Sequence, residues 1–129
     1  MNLQLSDNKI ISLSFGRTGV TEQAFEKAFK LDTGNSFIPE KPNLFAVFFK
    51  LEINNPEFQM TVESAHWFVT SDDITEEFKL SEFVHVNAPA IAFPFLRAFV
   101  GNFTLQSGYN PVLLPSINFI ELANNEDVG

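Results

Sequence analysis

The sequence predicts an α+β fold. Two observations carry this: apolar residues alternate with period two through the first half of the 129-residue chain, and helical periodicity takes over in the second half, with no return to strand patterning.

Residues 9–15 (Lys-Ile-Ile-Ser-Leu-Ser-Phe) alternate apolar and polar side chains, as a half-buried strand does. Residues 16–23 are expected to be a connection. Phe25, Phe29 and Leu31 share a strand face that Lys27 interrupts, while Phe25, Ala28 and Phe29 also fit a helix, so this element stays open. A glycine, two prolines and two asparagines make 34–43 a predicted loop. The clearest signal follows. Phe45, Val47, Phe49, Leu51 and Ile53 form one face of a strand, Asn54-Asn55-Pro56-Glu57 forms a turn, and Phe58, Met60 and Val62 resume the alternation. Residues 44–53 and 58–69 are therefore predicted to pair as a hairpin. Phe48 lies on the otherwise polar face beside Lys50 and Glu52, which suggests that this face is partly covered.

Ser71-Asp72-Asp73 offers an N-cap followed by acidic residues. Ile74, Phe78 and Phe83 then fit either a short helix or an irregular crossover. Proline is welcome at a first helical position, and the residue before it avoids the α region. Phe93-Pro94 therefore predicts a helix starting at Pro94. Phe95, Phe99 and Phe103, widened by Leu96 and Val100, form its apolar stripe, and Arg97 and Thr104 are expected to face away. The small Ala98 and Gly101 would admit a close neighbour, and Gly108 would stop the helix. Asn118 and Glu121 have capping-box spacing, and Ile117 and Leu122 have the spacing of a hydrophobic staple, so a short last helix is expected there. Residues 124–127 are expected to fray.

Composition narrows the function. The length suits one domain spanning 1–129. No cysteine is present, which removes disulfides and thiolate metal sites. The net charge of −8 opposes binding to nucleic-acid phosphates and suits basic or unfolded polypeptide. The N-terminus lacks the pattern of a signal peptide, and charges and prolines interrupt each apolar run, so a cytoplasmic protein without membrane insertion is expected. Sixteen phenylalanines stand against one tyrosine and one tryptophan. Phenylalanine brings area without a hydrogen bond, and a surplus of it suits a subunit interface or an apolar groove.

Reactive constellations are missing. His66 and His85 have no further ligands at metal-binding spacing. No serine sits in a nucleophile motif, and Asp72-Asp73 and Glu76-Glu77 read as a solvated helix start rather than an acid/base pair. The glycines form no phosphate loop. The sequon Asn102-Phe103-Thr104 falls in a predicted helix. Arg97 is expected to bond carbonyls or a carboxylate at a buried edge. No enzyme activity and no cofactor are expected.

The run Pro89…Phe93-Pro94-Phe95-Leu96-Arg97 is similar to the Pro-x-x-x-Phe-Pro-Tyr-x-Arg signature of the SecB protein-export chaperones, and Pro115-Ser116-Ile117-Asn118-Phe119 resembles that family's Pro-Val-Asn-Phe. The strand 58–68 also fits, with Ala65-His66 where some members carry two glycines. The resemblance covers about half of the chain. It implies a four-stranded antiparallel sheet with a long helix and a short C-terminal helix on one side. It also implies a homotetramer, a dimer of dimers, with Phe95, Ala98, Phe99, Gly101 and Phe103 at the interface of the long helix. The implied partners are unfolded polypeptide clients held in apolar grooves, and the SecA motor. The family's groove would map to Trp67, Phe68, Phe78, Leu80, Phe83 and Leu122. SecA would meet the exposed sheet face at Glu52 and Glu63, with Thr61 where some members carry a glutamate. Export members also carry a C-terminal tail that contacts SecA, whereas this sequence stops soon after its last predicted helix. Other SecB-like proteins are dedicated chaperones of an antitoxin, an alternative that stays open, as does that of a non-enzymatic adaptor for one folded partner.

Overall fold

The computed structural model describes residues 1–17 and 29–128, the last four by backbone alone. Four antiparallel strands form one sheet: β1 (Leu3–Arg17), β2 (Phe29–Phe37), β3 (Leu44–Asn54) and β4 (Phe58–Thr70), in the order β1-β4-β3-β2. They precede a single-turn helix α1 (Glu76–Lys79), a π-helical turn (Phe83–Asn87), a long helix α2 (Ala88–Gln106) and a last helix α3 (Phe119–Val128).

The β3–β4 hairpin forms as its alternation requires. Phe45 pairs with Phe68, Leu51 with Val62 and Ile53 with Met60, so the apolar faces of the two strands coincide. Asn55 shapes the turn, its Oδ1 accepting from the amides of Glu57 and Phe58, each at 2.9 Å. Together with α2, this face makes the core. Phe45, Phe49, Leu51, Phe58, Phe68, Phe93 and Leu96 are all buried. Each such side chain stabilises the fold by roughly 1.5–3 kcal/mol.

Two strands outrun the expectation. β1 begins at Leu3, and register shifts between Leu5 and Asp7 and between Ile10 and Ser12 leave Ser6 and Ile11 as extra residues. Each bulge flips the parity, so strict alternation held only locally. Leu5, Asn8, Ile10, Leu13 and Phe15 thereby stand opposite core-facing residues of β4 or their neighbours. β2 continues to Phe37, through residues expected to be loop, because Gly34, Asn35 and Ser36 pair with Phe48, Val47 and Ala46 of β3. Ladder hydrogen bonds there override weak strand propensity. The open reading around Phe25 and Lys27 lies outside the described residues, whereas Phe29 and Leu31 stand in β2.

The crossover is an irregular path with one helical turn. Its N-cap is Thr75, whose Oγ1 accepts from the Phe78 amide at 3.0 Å, rather than Ser71. Ser71 instead ties the N-terminus to β4: its hydroxyl accepts from the Asn2 amide at 2.8 Å, and its amide donates to the Asn2 carbonyl.

α2 starts at Ala88, six residues before Pro94, and Pro94 lies inside it. Pro89 follows directly on the π-helical turn, whose last bond runs from the Ala88 amide to the Phe83 carbonyl. Pro94 costs a hydrogen bond, a penalty of about 3 kcal/mol. Burial of Ala88, Ala92, Phe93 and Leu96 against the sheet offsets it. The uninterrupted helical stretch Phe83–Gln106 is consequently long and apolar enough to cross a membrane by length and composition, contrary to expectation. Its Val84, Phe93, Leu96 and Val100 are instead committed to the core.

Both ends of α2–α3 obey the sequence. Gly108 adopts φ 97°, its amide donates to Leu105 and the Tyr109 amide to Thr104, a Schellman closure. Asn118 Oδ1 accepts from the Glu121 amide at 3.1 Å, capping α3. The helix runs on to Val128, through the residues expected to fray.

Candidate binding surfaces

α2 has two apolar stripes. Pro89, Phe93, Leu96, Val100 and Thr104 are buried. Ile91, Phe95, Ala98, Asn102 and Leu105 are exposed, spaced four, three, four and three residues apart, the a/d spacing of helices that pair with other helices. Phe95 is 50% exposed. The expected single stripe of Phe95, Phe99, Phe103, Leu96 and Val100 therefore divides. Leu96 and Val100 face the sheet. Phe99 and Phe103 are half-buried and touch each other at 5.8 Å between ring centroids, and Phe103 meets Phe15 at 5.1 Å. Gly101 faces the chain's own connection, where a Cβ would lie 3.6 Å from the Val112 carbonyl oxygen. Thr104, expected to face away, is fully buried. Its hydroxyl donates to the Val100 carbonyl at 2.8 Å and accepts from the Val112 amide at 2.9 Å, which pins that connection to α2. Arg97 is exposed and forms no ion pair or side-chain hydrogen bond among the described residues, so it does not bond a buried edge as expected.

Beneath α2 the sheet holds a polar network. His66 Nδ1 meets Asn8 Oδ1 at 2.5 Å, and its Nε2 meets the Ser64 hydroxyl at 2.9 Å. An amide oxygen only accepts, so Nδ1 carries the proton and Nε2 accepts from serine. Burial disfavours the imidazolium and lowers the His66 pKa from 6.5 to about 4. The order resembles nucleophile, base and orienting group, but Ser64 is fully buried, out of reach of a substrate. The network knits β1 to β4, and composition alone gave no sign of it. A cavity of about 200 Å³ opens beside it, lined by Ile10, His66, Phe95, Leu96 and Phe99.

The six expected groove residues do not share one surface. Phe68 is fully buried in the core, and Phe78 is buried against Phe45 and stacked on Phe83 with centroids 5.7 Å apart. Leu80 is 83% exposed, Phe83 is partly exposed, and Leu122 is half-buried against the core. Trp67 pairs with Ala46, and so points to the sheet face away from α2. Leu80, Val86, Ile120 and Ala123 line a cavity of about 380 Å³ between the crossover and α3. Ile120, exposed there, and Leu113, 79% exposed, were not singled out from sequence. An apolar residue beside a strong core position (Leu114, Phe119) was the available signal.

The outer sheet face carries Ala46, Phe48, Lys50, Glu52, Thr61, Glu63, Ala65 and Trp67 in register. Phe48 is half-buried among its neighbours within this face. Glu63 accepts from the Ser12 hydroxyl at 2.7 Å. A shallow cavity of about 300 Å³ lies there, between Ile11, Gly34, Phe48 and Glu63. No cluster of three or more metal-ligating side chains occurs among the described residues.

The sequence profile of the SecB family, described as preprotein translocase subunit SecB, matches residues 11–127. The chain belongs to the SecB family. A protein-export protein SecB of Roseobacter denitrificans is 36% identical over 55 residues, which is 43% of this chain and 32% of that protein. An uncharacterized protein of Methanocaldococcus jannaschii is 28% identical over 105 residues, 76% of this chain and 66% of its own length. The chain thus spans less than two thirds of either relative. Among solved structures, a Mycobacterium tuberculosis SecB-like chaperone in complex with an antitoxin peptide superimposes with a TM-score of 0.69 at 18% identity, covering 89% of each chain. A Streptococcus agalactiae protein of unknown function gives 0.59 at 13% identity, over 89% of this chain and 98% of that one. These likenesses establish the SecB-like fold: one four-stranded antiparallel sheet with its helices.

Proposed function

We propose that this SecB-family protein is a holding chaperone that keeps unfolded polypeptides from aggregating, without chemistry or cofactor. The observation that carries this is the exposed apolar lining between the crossover and α3. Leu80 and Ile120, largely open to solvent, join Val86 and Ala123 around a cavity wide enough for side chains of an extended chain, with Ser81, Glu82, His85 and Asn124 as its polar lining. The proposed client contacts also include Leu122 and, as a separate patch on the outer face of the sheet, Trp67, while Phe78 and Phe68 contribute only from within the core.

Assembly uses the exposed α2 stripe. Its four-three spacing suits pairing with the same helix of a second copy, with Phe95, Ala98 and Phe99 central and Gly101 and Phe103 at the flank. The proposed oligomer is a cytoplasmic tetramer built as a dimer of dimers from one domain, 1–129. Glu52 and Glu63 on the outer face are the proposed contacts for a SecA motor during export. Dedicated service to an antitoxin is the second reading, favoured by the likeness to a SecB-like chaperone solved with an antitoxin peptide.

Light scattering, with and without a trapped unfolded protein, tests both parts. A tetramer that shifts to a stable complex is expected. A monomer or dimer that ignores unfolded chains overturns the reading in favour of an adaptor for one folded partner. Trp67→Ala should weaken client binding and leave the tetramer's mass unchanged.

A further inference from the structure

The sheet face turned away from α2 carries a charge pattern unlike the rest of the chain. Three register pairs of β2 and β3 project there: Lys30 with Glu52, Asp32 with Lys50, and Gly34 with Phe48. The first two pairs make a block of two cations and two carboxylates, alternating in sign along and across the strands. The block is neutral, in a chain with eight Lys and Arg against sixteen Asp and Glu. Its charges are not used within the protomer. Among the described residues, none of the four forms an ion pair or a side-chain hydrogen bond.

Beside the block lies a socket. Gly34 is exposed, and a Cβ placed on it meets nothing within 4 Å. It borders the shallow cavity of about 300 Å³, whose lining includes Asp32, Phe48 and Lys50. Roughly 150 Å³ is enough for a benzene ring. A glycine inside a strand often marks the close approach of another chain. The half-buried Phe48 is the aromatic side chain next to it.

A symmetric contact between identical chains needs a surface complementary to itself. This surface is. A two-fold axis along the strands, midway between β2 and β3, lays each residue of one strand over its own register partner in the second copy. Lys30 then meets Glu52, Asp32 meets Lys50, and Phe48 enters the space above Gly34, each contact occurring twice. A uniformly basic or acidic segment would instead meet like charges in the block. We propose that the outer face of β2 and β3 docks on the same face of a second copy of this chain. The net charge of −8 on each copy opposes approach at long range, but salt screens it beyond about 8 Å and the local pattern decides. The contact is separate from the α2 stripe and stands whether or not the chaperone reading does. Glu52 also belongs to the proposed SecA contacts, so a second copy and the motor exclude each other there.

Light scattering over a range of protein concentrations, in roughly 0.15 M salt, tests this as the rise of mass with concentration. Gly34→Leu fills the socket. Because the space around Gly34 is open, the denaturant midpoint should be unchanged or higher, while self-association weakens by about tenfold. Lys50→Glu sets like charges against Asp32 twice over and should also weaken association roughly tenfold. Adding Asp32→Lys to Lys50→Glu restores opposite signs at both contacts and should return association to within about threefold of the wild type. A double variant no better than Lys50→Glu alone, or a Gly34→Leu protein that associates as the wild type does, overturns the inference. So does a wild type whose mass does not rise with concentration.

Discussion

The two faces of α2 carry nearly the same kinds of residue and have opposite fates. Phe93, Leu96 and Val100 are buried against the sheet, while Ile91, Phe95 and Leu105, one step round the helix, are exposed. Composition does not distinguish them. The sheet surface does, because the side chains of β3 and β4 leave room for one stripe and not the other. Apolar periodicity thus tells that a helix packs, but a helix with two stripes does not tell which one packs first.

The largest expected effect separates the faces directly. Leu96→Ala should destabilise the protein by about 2–5 kcal/mol, seen in denaturant unfolding, because it opens a cavity in the core. Phe95→Ser should shift stability by less than about 0.5 kcal/mol per protomer yet reduce the mass seen by light scattering. Equal destabilisation by both would mean that the two faces are not distinct in solution.

The network under α2 gives the next effect. Above pH 6.5 His66 is neutral in both folded and unfolded chains. Between 6.5 and about 4 the unfolded chain takes up a proton that the folded one refuses, so stability falls as pH drops. The loss reaches about 3 kcal/mol near pH 4. Melting curves from pH 7.5 to 4.5 should show it, and His66→Gln should flatten that slope. An unchanged slope would show that His66 titrates normally and that the buried side of α2 is open to water.

Smaller effects probe the helix itself. Gly108→Ala should cost about 1–2 kcal/mol, because φ 97° is strained for any side chain and the closure of α2 depends on it. Gly101→Ala sits between the faces. A Cβ there meets the Val112 carbonyl at an ordinary contact distance, so the protomer should gain up to about 1 kcal/mol in helix propensity. A loss instead, measured by the same unfolding curves, would place a second helix against Gly101.

Much of the fold was legible because local chemistry and packing agree. The hairpin turn at Asn55, the helix stop at Gly108 and the cap at Asn118 each depend on one side chain's or one glycine's conformational preference, and each is found. The misreadings share a cause. Pro94 marks a helix start in isolation, but burial of Ala92 and Phe93 outweighs its missing bond. Ser71 is a sound cap, but Thr75 stands where the chain turns. The site was less legible. Phe68 and Leu80 are both apolar residues near the crossover, yet one lies fully in the core and the other is almost free.

The sequence alone determined the α+β class, the central hairpin, the helix stops and the family, since these depend on neighbours within a few residues or on short motifs. Only the tertiary structure decided which stripe of α2 is buried, that His66 joins Asn8 across 58 residues of chain, and that Gly34 lies beside Phe48 on the outer face of the sheet. Those outcomes depend on distances between segments far apart in the chain, and no local pattern encodes a distance.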